Sequence, residues 1–303
     1  MSKANEVSGS KGWITSYLAL GIVWGASFLF IEKSLTFLTP VGVAFFRCAL
    51  GALALWVVLL RRKMRINRDY LLFLQLWVMG LLLNVFPGIL FAYAQEQVSS
   101  ILAGIMNALT PIMSILMIMI VFRSERLSFE KVFGIILGFF GVVIVLVVGQ
   151  TIGQTSATAI IALLLAVLCY GASYPFSSKY IIPRKLSPEI LATTQVSLSA
   201  LTLFPFFLLN GFHSYEISLE ALLSILALGV LGTGIAYIWN FRNVELAGPS
   251  LASTVTYITP LVAVILGFLL LGEPLTWNEP LGGLIVLIGS AIAQGRVRVV
   301  RRR

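Results

Sequence analysis

Apolar residues along this chain gather into long unbroken runs separated by short polar connections. A helix that crosses the hydrocarbon of a bilayer needs about 20 such residues. The runs predict ten spans, at 12–31, 40–60, 70–94, 98–122, 129–148, 158–181, 188–209, 217–241, 250–271 and 278–295. They are continuous and do not alternate as barrel strands must, so the expected class is an all-α integral membrane protein.

Polar residues inside the spans fall on narrow stripes. The first span carries Trp24, Ser27 and Phe28, the third Asn84 and Gly88, and the fourth Ala103, Asn107 and Thr110. The sixth carries Tyr170, Ser173, Tyr174 and Ser177, the eighth Thr233, Tyr237 and Asn240, and the ninth Ser253, Thr256, Tyr257 and Pro260. Three- and four-residue spacing puts each set on one helix face. Six such faces meeting at a centre would enclose a cavity of hydroxyl, amide and aromatic groups. The competing reading is that these groups only glue helices together, at about 0.6 kcal/mol per bond. The substrate-binding set expected from the stripes is Trp24, Ser27, Asn84, Asn107, Tyr170, Ser173, Tyr174, Tyr237, Asn240 and Tyr257. Trp13, Tyr17, Tyr70, Tyr215 and Trp277 stand at span ends, where aromatics anchor to the membrane interface.

Prolines within spans free a carbonyl that neighbours must satisfy. Pro87, Pro111, Pro175 and Pro260 are the expected hinge or gating positions, and Pro205 is a further breaker. Glycines at close spacing in the fifth span (Gly134, Gly138, Gly141) and the tenth (Gly282, Gly283, Gly289) read as helix packing.

The chain also repeats. Leu102-Ala103 and Thr110-Pro111 recur 149 positions on as Leu251-Ala252 and Thr259-Pro260, and Gly80 and Glu96 recur as Gly229 and Glu245. At offset 148, Glu125, Leu127, Gly134 and Gly141 meet Glu273, Leu275, Gly282 and Gly289. Trp24-Gly25-Ala26-Ser27-Phe28 resembles Tyr170-Gly171-Ala172-Ser173-Tyr174. Residues 1–149 and 150–303 are therefore expected to be two copies of one five-span unit, with a seam at Gly149–Thr158. Five is odd, so the second copy must enter the membrane from the opposite face. Inverted repeats of this kind mark transporters whose substrate site lies near the midplane between the halves.

Composition agrees with the span count: 59% of residues are hydrophobic and 11% charged, with mean hydropathy +0.99. Charge adds orientation. The net +9 would suit nucleic acid if it were clustered on a soluble face, but 19 of the 21 Lys and Arg residues fall at the N-terminus or after even-numbered spans. These include Arg61, Arg62, Lys63, Arg65 and Arg68, then Arg123, Arg126 and Lys131, then Lys179, Arg184 and Lys185. The last group is Arg296, Arg298, Arg301, Arg302 and Arg303. Such bias places the basic side, and with it both termini, in the cytoplasm. The expected setting is the bacterial inner membrane, with lipid and a small-molecule substrate as partners, no nucleic acid, and a monomer or weak dimer.

Cys48 and Cys169 both lie in spans and give no disulfide framework or metal-ligand spacing, so neither metal nor cofactor is expected. Arg47 is the charge well inside a span; its counterpart in the second copy is Gln195. An intramembrane ionisable residue is a functional candidate; Arg47 could equally snorkel, cap carbonyls of a neighbouring helix or attract an anion. No Asp or Glu stands in the middle of a span, which favours facilitated transport, or ion coupling through backbone carbonyls, over coupling through a buried carboxylate. Catalytic histidine pairs, phosphate-cradling loops and nucleophile elbows are lacking, which argues against an enzyme.

Ten spans in two five-span repeats, Thr-Pro in the fourth and ninth, and the Glu125-x-Leu127 and Glu273-Pro274-Leu275 turns resemble the drug/metabolite transporter superfamily. Within it the sequence is most similar to the EamA-type ten-helix branch. The resemblance implies a central cavity lined by spans 1, 3, 4, 6, 8 and 9, with 5 and 10 peripheral. It also implies outward movement of amino acids, other metabolites or drugs. The Trp- and Tyr-bearing stripes look most like aromatic amino-acid exporters. Cation-exporting members carry a carboxylate in the first span, and this chain has none between Ile14 and Phe30. The expectation is an exporter of small neutral amino acids, aromatic ones included, working by alternating access. The alternative is a proton-coupled exporter of drugs, nucleosides or lipids.

Overall fold

The computed structural model describes residues 3–66, 69–122, 128–147, 156–213, 217–248 and 252–297. Among them run ten helical spans: α1 (Lys3–Ser34), α2 (Pro40–Arg61), α3 (Tyr70–Gln95), α4 (Ser100–Ile120) and α5 (Phe129–Val147), then α6 (Ala157–Arg184), α7 (Pro188–Asn210), α8 (Leu219–Leu246), α9 (Thr254–Leu270) and α10 (Asn278–Ala293). Eight are long and apolar enough to cross a membrane, and α9 and α10 are shorter apolar helices. Tyr215, Leu251, the Glu125-x-Leu127 turn, the seam from Gly149 to Thr155, and Arg68, Arg123, Arg126, Arg298, Arg301, Arg302 and Arg303 lie outside the described residues.

Most span ends fall within a few residues of their expected positions; α1 begins at Lys3 rather than at 12, and α8 runs past its expected end at 241. Its last segment continues to Ala247, because residues that read as a polar connection pack back on the bundle. Asn243 Oδ1 accepts the Ser16 hydroxyl at 2.9 Å, and Val244 is buried against Tyr174 and Ala252. Tyr17 likewise does more than anchor: its hydroxyl meets that of Thr254 at 2.7 Å and ties α1 to α9. Tyr70 and Trp277 are exposed at span ends. Pro205 sits within the single helix α7.

The helix starts repeat with the sequence. Thr39 and Ser187 are N-caps followed by proline at the first helical position, and their hydroxyls accept the Gly42 and Ile190 N–H groups. A side-chain oxygen on an otherwise unpaired N–H stabilises such a start by about 1 kcal/mol, and proline there loses no hydrogen bond.

Ion pairs fix which connections share a side. Arg62 bonds Glu189, and Arg184 meets Asp69 at 2.9 Å, so the α2–α3 and α6–α7 connections lie together. At the other end Thr39 N–H donates to the Gly211 carbonyl at 3.2 Å, and Leu38 bridges Phe212. Lys33 pairs with Glu220 on the same side at 3.2 Å. Because α2 and α6 both end on the basic side, the second repeat runs opposite to the first.

Packing follows the inversion. Helix α1 packs on α8 and α9 as α6 packs on α3 and α4, while α2 meets α7, α4 meets α9 and α5 meets α10 across the repeat axis. The α5–α10 contact is backbone to backbone. A Cβ added at Gly134 would stand 2.5 Å from the Gly289 carbonyl oxygen, and one at Gly141 would stand 2.7 Å from that of Gly282. The repeated glycines are therefore a packing seam. Leu53, Leu60, Ile136, Phe140, Leu209 and Leu269 are exposed around the bundle, a surface suited to lipid rather than water.

Candidate functional site: a central cavity between the repeats

The site begins with two irregular turns. In α3 the backbone widens to a π-helical turn over Leu81–Val85, and in α8 over Val230–Ile235. These segments are 149 residues apart, so the irregularity itself is repeated. Single π turns inside α-helices concentrate at functional positions, because they release a carbonyl from the helical ladder. In α3 the Phe86 N–H bonds Leu81, five residues back, and Pro87 has no N–H to give Leu83. The Leu83 carbonyl instead accepts the Tyr237 hydroxyl at 3.0 Å. In α8 the Ala236 N–H reaches Leu231, again five back, and the Gly232 carbonyl accepts Trp24 Nε1–H at 3.1 Å. Leu83 and Gly232 are repeat mates. Each therefore orients one member of an edge-to-face pair, Trp24 and Tyr237, whose ring centroids are 6.0 Å apart.

Around that pair lies a cavity of roughly 540 Å³ counting its open mouth, lined by Trp24, Ser27, Phe28, Ile31, Arg47, Leu83, Phe91, Asn107, Thr110, Tyr170, Tyr174, Tyr237 and Thr256. One wall is a run of rings, with Phe28 edge-on to Phe91 at 5.5 Å and Phe91 stacked on Tyr170 at 5.6 Å. A polar wall crosses where α4 is interrupted before Thr110 and α9 starts as a 3-10 turn over Thr254–Tyr257. There Asn107 Nδ2 donates to Thr259 at 3.1 Å, and Thr110 donates to Asn107 Oδ1 at 3.2 Å. Pro111 and Pro260 follow these two interruptions, Pro87 lies beside the π turn of α3, and Pro175 precedes a further π turn over Ser177–Ile181 in α6.

Arg47 is buried, and its Nε donates to the Thr233 hydroxyl at 3.2 Å, with Tyr170 and Tyr237 close to the guanidinium. Among the described residues no carboxylate pairs with it. A buried charge without a counter-ion is disfavoured by several kcal/mol, so its position on the cavity wall suits an anionic partner.

The structure brings six of the expected residues onto the cavity: Trp24, Ser27, Asn107, Tyr170, Tyr174 and Tyr237. The other four stand behind the lining. Asn84 donates to Ser199 at 3.0 Å, and Ser173 donates to the Tyr170 carbonyl at 2.6 Å. Asn240 is buried a turn beyond Tyr237, and Tyr257 lies beside Ser290 on α10. Reading only polar stripes passed over Ile31, Leu83 and Phe91. Leu83, Pro87 and Phe91 recur every four residues, a one-face spacing that could have revealed them. No signal in the chain marks the π turns. Among the described residues no group of His, Cys, Asp and Glu could hold a metal ion.

Ten apolar spans, inverted halves and a cavity between them define a multi-pass membrane transporter. The EamA-like transporter family matches the chain twice, over residues 11–147 and 157–294. The chain belongs to that family, within the drug/metabolite transporter superfamily. It is 31% identical over 297 residues to an uncharacterized transporter of Archaeoglobus fulgidus, covering 97% of this chain and 100% of that protein. It is 28% identical to the uncharacterized transporter YdfC of Bacillus subtilis, over 95% and 92% of the two chains. Similarity to a probable terminal-alkyne amino-acid exporter of Streptantibioticus cattleyicolor is 25% over 218 residues, 71% of this chain and 68% of that one. A solved crystal structure at 17% identity superposes with TM-score 0.68 over 92% of this chain and 96% of its own, a likeness of fold alone. The named relatives point to transport rather than catalysis.

Proposed function

We propose that the protein exports small neutral amino acids, aromatic ones included, by alternating access of two halves meeting near residue 150. The observation that carries this is the cavity itself: a guanidinium with no counter-ion among the described residues, set among aromatic faces. A zwitterion fits such a wall. Its carboxylate would meet Arg47, its ammonium the ring faces and Asn107, and an apolar side chain the Phe28–Phe91–Tyr170 wall. Pro111 and Pro260 lie where α4 and α9 break beside the cavity, which supports their use as paired hinges, with Pro87 and Pro175 next to the π turns. None of the lining residues is an Asp or Glu, which supports carriage without a proton-binding carboxylate. The similarity to a probable amino-acid exporter agrees in substrate class. The basic side is assigned to the cytoplasm of a bacterial inner membrane, with both termini there, and the working unit is a monomer or weak dimer.

Purified protein in liposomes tests the reading. Labelled phenylalanine, methionine or threonine is expected to exchange without an imposed proton or sodium gradient. Strict dependence on a proton gradient would overturn the uniport assignment. Movement of nucleosides or lipids with no amino-acid flux would overturn the substrate class.

A further inference from the structure

The π turn of α8 orients the aromatic side chain of Trp24, and it also holds the cavity's cation. Thr233 lies inside that turn, and its hydroxyl donates to the Leu228 carbonyl, five residues back, at 3.1 Å. Leu228 lies just before the widened turn, and its carbonyl takes the hydroxyl proton. With its proton committed to Leu228, the Thr233 oxygen presents lone pairs to Arg47 Nε–H, 3.2 Å away. The relay is directional: Arg47 gives to Thr233, and Thr233 gives to the backbone. Gly51, one turn after Arg47 on α2, makes room for it, since a Cβ there would stand 3.0 Å from Thr233 Cγ2.

A guanidinium carries five N–H donors in a flat fork. Pinning the Nε–H fixes the plane of the group; Tyr170 lies against the guanidinium, and the donors left on the terminal nitrogens can meet a carboxylate. We propose that Thr233 is a positioning residue that sets the carboxylate selectivity of the cavity by holding the Arg47 fork toward the substrate. This rests on the amino-acid reading above. It adds that recognition of the carboxylate depends on a side chain that does not line the cavity. The mirrored crossing of α7 on α3 differs in kind. There Asn84 takes the place of Thr233, Gln195 that of Arg47, and both amide atoms of Gln195 are buried without a partner. Only one of the two repeat-related crossings therefore presents a cation.

The test measures transport of phenylalanine and of phenylalaninamide, which lacks the carboxylate, in liposomes containing wild type, Thr233→Val or Thr233→Ser. Wild type is expected to favour the acid over the amide. Thr233→Val removes the acceptor with little change of shape. It is expected to raise KM for phenylalanine about tenfold, the scale for a lost hydrogen bond to a charged group. Turnover should stay within about twofold and the preference for the acid should collapse, with Thr233→Ser restoring both. Where Thr233→Val does not accumulate in the membrane, Thr233→Ala removes the same oxygen and is read in the same way. An unchanged KM, or a fall in turnover with acid preference intact, would show that Thr233 only packs α8 on α2 and would overturn the inference alone. Wild-type vesicles that carry no amino acid would overturn both it and the parent reading.

Discussion

Tyr237 and Pro87 should be thermodynamically coupled through one carbonyl, although neither side chain needs to touch the other. The Leu83 oxygen is free because Pro87 lacks an N–H, and the Tyr237 hydroxyl, 3.0 Å away, satisfies it in a fully buried setting. Tyr237→Phe leaves that oxygen dry and unpaired. Orphaned buried acceptors are disfavoured by about 1–3 kcal/mol, and interhelical bonds in membranes average about 0.6, so a working value is about 1 kcal/mol. Pro87→Ala returns an N–H four residues after Leu83. In that background Tyr237→Phe should be nearly neutral. The double-mutant cycle is therefore expected to show a coupling of about 1 kcal/mol, beyond the scatter of about 0.3–0.5 for independent sites. At about 2 °C per kcal/mol for a chain of this size, the difference is measurable by thermal unfolding in detergent. Cys48 is fully buried, so a thiol-reactive dye reports the opening of the bundle. Strict additivity, or a larger penalty for Tyr237→Phe in the Pro87→Ala background, would refute the assignment of that carbonyl to the tyrosine.

Two further outcomes test the frame that holds the cavity. Gly289→Leu places a Cβ 2.5 Å from the Gly138 backbone nitrogen, which cannot yield, so α5 and α10 must part. A loss of about 1–3 kcal/mol is expected in the same unfolding assay, while Gly283→Ala, with 3.7 Å to Ile105, should be near neutral. In a chain lacking its own cysteines, single cysteines at Lys63 and Lys185 should label from one side of the membrane and those at Thr36 and Phe212 from the other. Labelling of Lys63 and Lys185 from opposite sides would break the inversion.

Much of the architecture was legible because the bilayer allows few solutions. A backbone in hydrocarbon must satisfy itself within each helix, so run length alone located the ten spans, and their odd number per repeat required the second half to be flipped. The glycine pairs that join α5 to α10 were legible for a similar reason, since only a missing Cβ permits such approach. The cavity was legible in part. Trp24, Asn107, Tyr170 and Tyr237 stand out as polar or aromatic groups too deep to be anchors. Asn84 and Ser173 carry the same signal, yet their hydrogen bonds turn them to Ser199 and to backbone, and spacing cannot separate the two outcomes.

Residue order by itself determined that this is a membrane protein of ten helices in two opposed copies, because hydrophobic length and repeat offset are one-dimensional quantities. Tertiary structure alone decided where the ladder of hydrogen bonds opens. The π turns at Leu81–Val85 and Val230–Ile235 are visible only in the folded backbone. The carbonyls they release find Trp24 and Tyr237 only across the repeat axis. That Arg47 faces the cavity, with its Nε on Thr233, follows from the same crossing of helices 186 residues apart in sequence. No local pattern encodes a partner at that distance.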